Sequence, residues 1–325
     1  MTTAILQYIC ILNSGLKAAK LVFQMSTALK ASRVSYISDF KEVTKYRLAM
    51  SVVFSSLAGY LLAVDTIVLS EIAILAFGGY CMVGASNAYN QIIEKDLDLL
   101  MKRTVNRPLP SKRMSVNTAF TIAVILTLLG VASLYTLNPK TAMFGAISIF
   151  LYACVYTPLK TKTPLAVFVG AIPGAIPFML GWVAATGEFG IESGVLFMIQ
   201  FFWQFPHFWA IGWFLHDDYQ SAGFKMLPTG EKDKATLRQI LIYSFWTLLC
   251  SLIPVVGKTG SLEITIPTAV VVGLLGVFLI KKALDLYKDR SASTARSLML
   301  TSVLYITVLQ VVYVVDKYIR LWMSL

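Results

Sequence analysis

Three polar side chains are spaced four residues apart in the stretch NQIIEKDLD, which follows a long apolar segment. On a helix, Asn90, Glu94 and Asp98 would form one stripe about 12 Å long, and Ser86 would continue it one turn deeper. Stacked carboxylates repel each other unless a cation lies between them or one stays protonated. The spacing therefore predicts a site for a hard divalent ion such as Mg²⁺, which proteins commonly hold with one or two carboxylates and substrate phosphates.

Basic residues follow these carboxylates in the chain. Arg103 and Arg107 lie in the next segment, KRTVNRP, and arginine suits phosphate because it donates two parallel hydrogen bonds. The combination favours a phosphate-binding site at the mouth of a helix. The alternative is a solvated helix end with ordinary loop charge, and the acidic triplet by itself leaves that alternative open.

A second polar group lies in the stretch IQFFWQFPHFWAIGWFLHDDYQ. On a regular helix, four of its side chains would share one face, although Pro206 is expected to kink the helix; they are Gln200, Gln204, His207 and Asp218. Such a face is unfavourable against lipid, so we expect it to point into a helix bundle. For His207 alone, a structural hydrogen bond to a neighbouring helix remains open beside a functional role.

The elements that must position these residues are membrane helices. Of the 325 residues, 57% are hydrophobic and only 14% are charged, whereas a soluble domain carries about 25% charged residues. Nine continuous apolar runs predict helical spans, because a span needs about 20 apolar residues and lipid forces the backbone to satisfy itself. The fourth and seventh are short and must extend into their flanks. The runs are 46–64, 72–93, 116–135, 142–156, 164–183, 195–215, 240–255, 264–280 and 298–315.

The positions of lysine and arginine predict the orientation. With the N-terminus in the cytoplasm, 24 of the 28 basic residues fall on the inner side, as the positive-inside rule requires. This bias explains most of the net charge of +11, so the charge indicates topology and not nucleic-acid binding. The second and sixth spans then run in the same direction, and both polar groups open on the cytoplasmic side. We expect two parallel four-helix halves and a ninth helix.

The rest of the sequence excludes several other classes of site. The four cysteines are far apart and form no C-x-x-C pair, so disulfides, zinc and iron–sulfur clusters are not expected; they are Cys10, Cys81, Cys154 and Cys250. Residues 1–45 make a poor secretory signal because no basic residue precedes their apolar run. We interpret them as an N-terminal cytoplasmic tail, followed by a single transmembrane domain over residues 46–325. The predicted fold is all-α and polytopic.

The stretch NQIIEKDLDLLMKRTVNRP resembles the N-x-x-x-D-x-x-x-D signature of the UbiA-type intramembrane prenyltransferases. Its flank MKRTVNRPLP is similar to the branch of that family that farnesylates haem b. So are YTPLKTKTPLAVFVGAIPGAIPFMLGW, FFWQFPHFWAIGW and HDDYQSAGFKMLP. The resemblance runs from about residue 46 to the C-terminus. It implies transfer of farnesyl from farnesyl diphosphate to a haem vinyl group, with addition of water, giving haem O.

The resemblance also implies roles for individual residues. The first Mg²⁺–diphosphate site carries over to Asn90, Glu94 and Asp98, with Glu94 where many relatives have Asp. Asp218 would be a further catalytic and metal-binding residue. The wider superfamily often has a second carboxylate four residues later, where this chain has Ala222. A full second metal site is therefore in doubt, although Asp217 is adjacent.

The remaining implied contacts are to the two substrates. The diphosphate would be held by Arg103, Arg107 and Lys160, and haem b by His207, which could ligate the iron, anchor the ring indirectly or handle a proton. The implied cofactor is Mg²⁺. The implied setting is a bacterial cytoplasmic membrane or a mitochondrial inner membrane, with transient contact to haem A synthase or terminal oxidase assembly.

Two other functions remain open from the sequence. A relative that prenylates an aromatic quinone precursor would share the same diphosphate site. A cation or proton transporter could also use intramembrane acids, but its helices are more typically interrupted at mid-membrane, whereas these acids lie at helix ends. In the enzyme, apolar walls would hold the prenyl tail and keep water from capturing the allylic cation early.

Overall fold

The computed structural model describes residues 36–324. The chain divides into two compact units, Met1–Glu42 and Val43–Leu325. In the first unit, residues 36–42 are helical, and most of the predicted tail lies outside the described residues, as does Cys10. The predicted boundary after residue 45 stays a prediction.

The second unit is a bundle of α-helices with short connections, and the described residues contain no β-strand. The first helices are α1 (Tyr46–Ala63), α2 (Leu69–Asp98), α3 (Val116–Leu137), α4 (Pro139–Phe150), α5 (Ala166–Thr186) and α6 (Ile191–Phe214). After them come α7 (His216–Ser221), α8 (Lys234–Leu252), α9 (Ile266–Asp289) and α10 (Ala292–Met323). A π-helix, Leu151–Tyr156, and a short turn, Thr157–Leu159, continue α4, and a 3₁₀ turn, Ile253–Val256, continues α8. The all-α prediction is confirmed.

Each of the nine predicted spans coincides with a helix. Seven of the described helices are long and apolar enough to cross a membrane, and α6 and α9 are not among them. The count of nine spans therefore stays a prediction. The two short predicted spans do extend into their flanks, since the fourth helical segment continues to Leu159 and the seventh to Val256.

Small residues allow the helices to approach closely at the centre of the bundle. A Cβ atom added to Gly59 of α1 would collide with the Phe178 carbonyl of α5, and one added to Gly181 would collide with the Ser56 carbonyl of α1. Such contacts matter in lipid, where helix association depends on close packing and interhelical polar contacts. Residues of α1, α5 and α6 line one cavity in the bundle, into which polar residues of the predicted site point.

Candidate active site

The acidic stripe predicted on α2 is present and buried. Asn90, Glu94 and Asp98 have exposed fractions of 3% or less, and with Ser86 they line one cavity. Asp96 lies on another face of the same helix, where its exposed carboxylate pairs with Lys95. Because of the helical period, Glu94 and Asp98 are buried, whereas Asp96 between them faces away and is exposed.

Asp98 is paired with Arg107. Two hydrogen bonds of 3.0 and 2.8 Å join Nη1 of the arginine to the two carboxylate oxygens. The turn after α2 brings Arg107 back, because the Thr104 hydroxyl donates to the Asp98 carbonyl at 2.8 Å and the Arg107 N–H donates to the Thr104 carbonyl at 2.9 Å. The side chain of Asp98 is 0% exposed and that of Arg107 is 15% exposed, so the pair is largely removed from solvent.

Glu94 is paired with Lys160, which comes from another part of the bundle. The two charged atoms are 2.7 Å apart, and both side chains are buried. The Lys160 ammonium also lies 4.5 Å from the centre of the Tyr156 ring, a geometry for a cation–π contact. The side chain of glutamate is one methylene longer than that of aspartate, and in this structure the Glu94 carboxylate contacts Lys160.

The π-helix places the residues that precede Lys160. Pro158 has no N–H to donate to the preceding turn, and the Thr157 hydroxyl donates to the Tyr152 carbonyl at 2.8 Å. The Asn90 amide donates to the Thr157 hydroxyl oxygen at 3.0 Å. Tyr152 and Tyr156 both line the cavity. Short π-helical segments occur frequently at functional sites, and this one connects the acidic stripe to Lys160.

Lys45 is a site residue that the sequence analysis assigned to the N-terminal tail. It is half-buried, lines the cavity and has a positive φ of 48° before α1. Two amides of α2 hold its neighbours, since Gln91 donates to the Val43 carbonyl at 2.8 Å and Asn87 to the Thr44 carbonyl at 3.3 Å. Burial is the main cause that lowers the pKa of Lys45 to about 7; the positive charges of Arg107 and Lys160 act in the same direction, and the negative charges of Glu94 and Asp98 oppose it.

Asp218 lies on a separate short helix next to the turn after α2, and it is not among the described residues that line the cavity. The extrapolation of one regular helix from Gln200 to Asp218 was wrong, because α6 ends at Phe214 and α7 begins at His216. One oxygen of Asp218 accepts the Lys102 N–H at 2.8 Å. The other oxygen is buried and has no hydrogen-bond partner among the described residues. Asp217 points elsewhere, since its side chain is 94% exposed and lies 3.7 Å from Lys232.

The oxygen ligands suit Mg²⁺ but do not form a complete protein cage. Within residues 36–324, no cluster of three or more His, Cys, Asp or Glu side chains could hold a metal ion. Mg²⁺ commonly takes one or two carboxylates and completes its coordination with water and substrate phosphates. Glu94 and Asp98 with the Asn90 amide fit that pattern, and the buried, donor-free oxygen of Asp218 fits a nearby cation.

The cavity has a volume of about 520 Å³ and continues inward from the carboxylates. Arg103 lies at the same mouth, with its guanidinium 5.9 Å from the centre of the Tyr219 ring. At depth, the Gln310 amide donates to the Ser55 hydroxyl at 3.1 Å and to the Gln200 side-chain oxygen at 3.2 Å. Ser55 and Gln310 are not among the site residues predicted from the sequence. Gln310 could have been recognised from the sequence, because it is the only amide side chain within the apolar run 298–315.

His207 lines the same cavity together with Gln200 and Gln204, which confirms that this polar face of α6 points into the bundle. Nδ1 of His207 is 2.9 Å from the Ser302 hydroxyl of α10. Trp203 stacks on the imidazole with the ring centres 4.9 Å apart, and its indole N–H donates to the Ser302 carbonyl at 2.6 Å. These contacts fix the orientation of the imidazole between α6 and α10.

Comparison with known proteins agrees with this architecture. The protein named protoheme IX farnesyltransferase from Christiangramia forsetii is 63% identical over 297 residues, covering 91% of this chain and 99% of that protein. The protein of the same name from Flavobacterium psychrophilum is 65% identical, covering 88% of this chain and 96% of that protein.

Solved structures share the fold at low sequence identity. A structure of digeranylgeranylglyceryl phosphate synthase has a TM-score of 0.72 and 17% identity, covering 86% of this chain and 98% of that one. A UbiA homolog from Archaeoglobus fulgidus bound to GPP and Mg²⁺ has a TM-score of 0.60 and 14% identity, covering 85% of this chain and 99% of that one. Residues 52–305 match the UbiA prenyltransferase family. The helical bundle, the buried acidic stripe and these relatives agree. This chain is an integral membrane protein and belongs to the UbiA prenyltransferase family.

Proposed function

We propose that this protein transfers a farnesyl group from farnesyl diphosphate to a vinyl group of haem b and that water adds to the product, giving haem O. The observation that carries the proposal is the pair of buried ion pairs at the mouth of an apolar cavity, Asp98–Arg107 and Glu94–Lys160. The near full-length similarity to proteins named protoheme IX farnesyltransferase supports haem as the acceptor, in preference to an aromatic quinone precursor.

The charges at the mouth suit a metal–diphosphate unit better than either component alone. The two carboxylates and their two cations are balanced. Mg²⁺ alone would leave two uncompensated positive charges in a buried site, and a diphosphate alone would leave about three negative ones, both of which are unfavourable. Together they leave about one negative charge, which the half-buried Lys45 offsets. We therefore expect both components to bind together.

Binding would exchange the partners of these four side chains. The carboxylates of Glu94 and Asp98, with the Asn90 amide, would hold Mg²⁺, and Asp218 would contribute from α7. Lys160 and Arg107 would turn from the carboxylates to the phosphate oxygens, where Arg103 also donates. When bound, the metal ion stabilises negative charge on the departing diphosphate. After this exchange of partners, the basic side chains would stabilise the same charge.

The inner part of the cavity would protect the allylic cation. Tyr152 and Tyr156 present aromatic rings next to Lys160, and Phe208 and Ile211 add apolar surface on α6. Such walls keep water from capturing the cation before the haem vinyl group attacks it. His207 lines the same cavity from α6 and would contact the haem. The reaction needs no protein nucleophile.

The orientation follows from the basic loops. The site opens at the inner end of α2, on the side where the lysine and arginine residues accumulate, so we infer that both substrates bind from the cytoplasmic leaflet of a bacterial cytoplasmic membrane. A transporter is less well supported, because α2 is continuous from Leu69 to Asp98 and its acids lie at the helix end. Contact with haem A synthase or with terminal oxidase assembly stays a prediction.

The direct test supplies haem b, farnesyl diphosphate and Mg²⁺ to membranes that contain the protein and identifies the haem product by mass. We expect haem O, and we expect chelation of Mg²⁺ to abolish it. If the membranes form a prenylated quinone precursor and haem b stays unchanged, the acceptor is the quinone precursor and not haem. Transport of ions without any prenylated product would overturn the enzyme proposal.

A further inference from the structure

The hydrogen bonds around His207 determine which of its nitrogens carries the proton. The Ser302 hydroxyl donates its only proton to the Met299 carbonyl at 2.6 Å. With that bond in place, the Ser302 oxygen accepts from the imidazole, which favours Nδ1 of His207 as the donor in their 2.9 Å contact. In a neutral imidazole the other nitrogen then has a free lone pair. Nε2 of His207, on a side chain that lines the cavity, is therefore available as a proton acceptor.

The depth of His207 places this lone pair near the expected reacting carbons. Asp218 binds the Lys102 N–H and Ser221 binds the Leu100 carbonyl, so the start of α7 is level with the turn after α2. His207 lies about 10 Å inward of the end of α6, at 1.5 Å per residue. The same rise along α2 leads to the stretch between Asn90 and Glu94. His207 is thus about one turn deeper than Glu94 and about two turns deeper than Asp98, the two carboxylates proposed to hold Mg²⁺.

The proposed reaction releases a proton at this depth. Bonding between C1 of farnesyl and the terminal vinyl carbon moves the positive charge to the vinyl carbon next to the porphyrin. Water then adds to that carbon through its oxygen and must lose one proton to become the hydroxyl group. Apolar walls leave little bulk water to accept that proton, so a neutral base in the cavity would assist the step.

The other ionisable groups that line the cavity are less suitable. Glu94 and Asp98 are each paired with a cation and are assigned to the metal. Lys45 lies at the mouth beside them, where its positive charge is needed by the diphosphate. The hydroxyls of Tyr152 and Tyr156, which also line the cavity, are neutral phenols at neutral pH and are weak bases. Among the described residues that line the cavity, His207 is the remaining base, and its ring is held by Trp203 and Ser302.

We propose that Nε2 of His207 accepts the proton from the water that captures the haem-linked carbocation, which makes His207 a catalytic residue for the hydroxylation step. The inference rests on the proposed farnesyl transfer to haem. The new bond joins the water oxygen to the vinyl carbon, the broken bond is one O–H of that water, and the proton goes to Nε2. Haem b, farnesyl diphosphate and water thus give haem O, diphosphate and one proton.

The test compares the products of the wild-type protein and of His207→Asn in membranes supplied with haem b and farnesyl diphosphate. Asparagine keeps a donor for Ser302 but has no basic nitrogen at the position of Nε2. We expect haem O formation to fall by about 100-fold, the lower end of the range for general base catalysis. We also expect a farnesylated haem that is lighter by one water, because the cation then loses a proton from carbon.

Two further results decide the inference. Haem O formation at the wild-type rate by His207→Asn would overturn it, while a wild-type protein that makes no farnesylated haem would instead overturn the proposed function. If His207→Asn fails to fold, Ser302→Ala serves as the second variant. It keeps the imidazole but removes the hydroxyl that holds the proton on Nδ1. We expect Ser302→Ala to raise the fraction of the dehydrated product, and an unchanged fraction would also overturn the inference.

Discussion

Substitution of Asp98 by asparagine removes one charge from the acidic stripe and leaves the shape of the side chain almost unchanged. Asp98 is fully buried and makes both hydrogen bonds to Arg107. The neutral amide would bind Mg²⁺–diphosphate poorly, so the negative charge that develops on the leaving diphosphate would be stabilised less. Removal of a single electrostatic contribution of this kind costs about 2.7–4 kcal/mol, or about 10²–10³-fold in rate. We expect a loss of activity in that range or larger.

The same substitution affects stability through Arg107. Removing one partner of a buried pair costs about 3–5 kcal/mol. We expect the lower end, about 3 kcal/mol, because Arg107 is 15% exposed and borders the cavity, where water can replace part of the contact. Asp98→Asn should therefore fold and remain monodisperse in detergent, with a lower midpoint of thermal unfolding than the wild type.

The assay is haem O formation as a function of Mg²⁺ concentration, at a temperature well below the unfolding midpoint. Asp96→Asn is the matched control, because it removes an equal charge two residues away from a side chain that is 79% exposed. Exposed ion pairs contribute little, so the control should keep wild-type activity and stability. Wild-type turnover of Asp98→Asn at limiting Mg²⁺ would refute the proposed role of Asp98.

Three further outcomes are expected. His207→Ala should weaken haem retention, measured by the haem absorption spectrum of the purified protein, and leave Mg²⁺-dependent farnesyl diphosphate binding nearly unchanged; the opposite pattern would mean that the two substrates are assigned to the wrong depths. Lys45 has a pKa of about 7 and is charged below that pH, so farnesyl diphosphate affinity should fall as the pH rises through 7; Lys45→Met should bind more weakly and show a flatter profile in the same titration. Gly181→Leu should lower the unfolding midpoint strongly, because its side chain would collide with the backbone of α1, whereas Gly194→Leu has open space around it and should change the midpoint much less.

Several features of this protein follow from local sequence alone. A continuous apolar run forms a helix in lipid because no other backbone arrangement satisfies its own hydrogen bonds, and each predicted span coincides with a helix. The four-residue spacing of Asn90, Glu94 and Asp98 places them on one face whatever the helix packs against. The separation of Asp96 from that face follows from the same period.

Tertiary structure decided how these elements meet. The sequence predicted cations near the carboxylates, but the pairing of Arg107 with Asp98 and of Lys160 with Glu94 depends on the turn after α2 and on the π-helix. Lys45 joins the site because α2 amides bind the backbone of Val43 and Thr44, a contact that no local pattern indicates. The free nitrogen of His207 likewise depends on Ser302, 95 residues later in the chain. Burial in lipid favours helices in general but does not select their partners; close packing and interhelical hydrogen bonds do, and these exist only once the bundle has assembled.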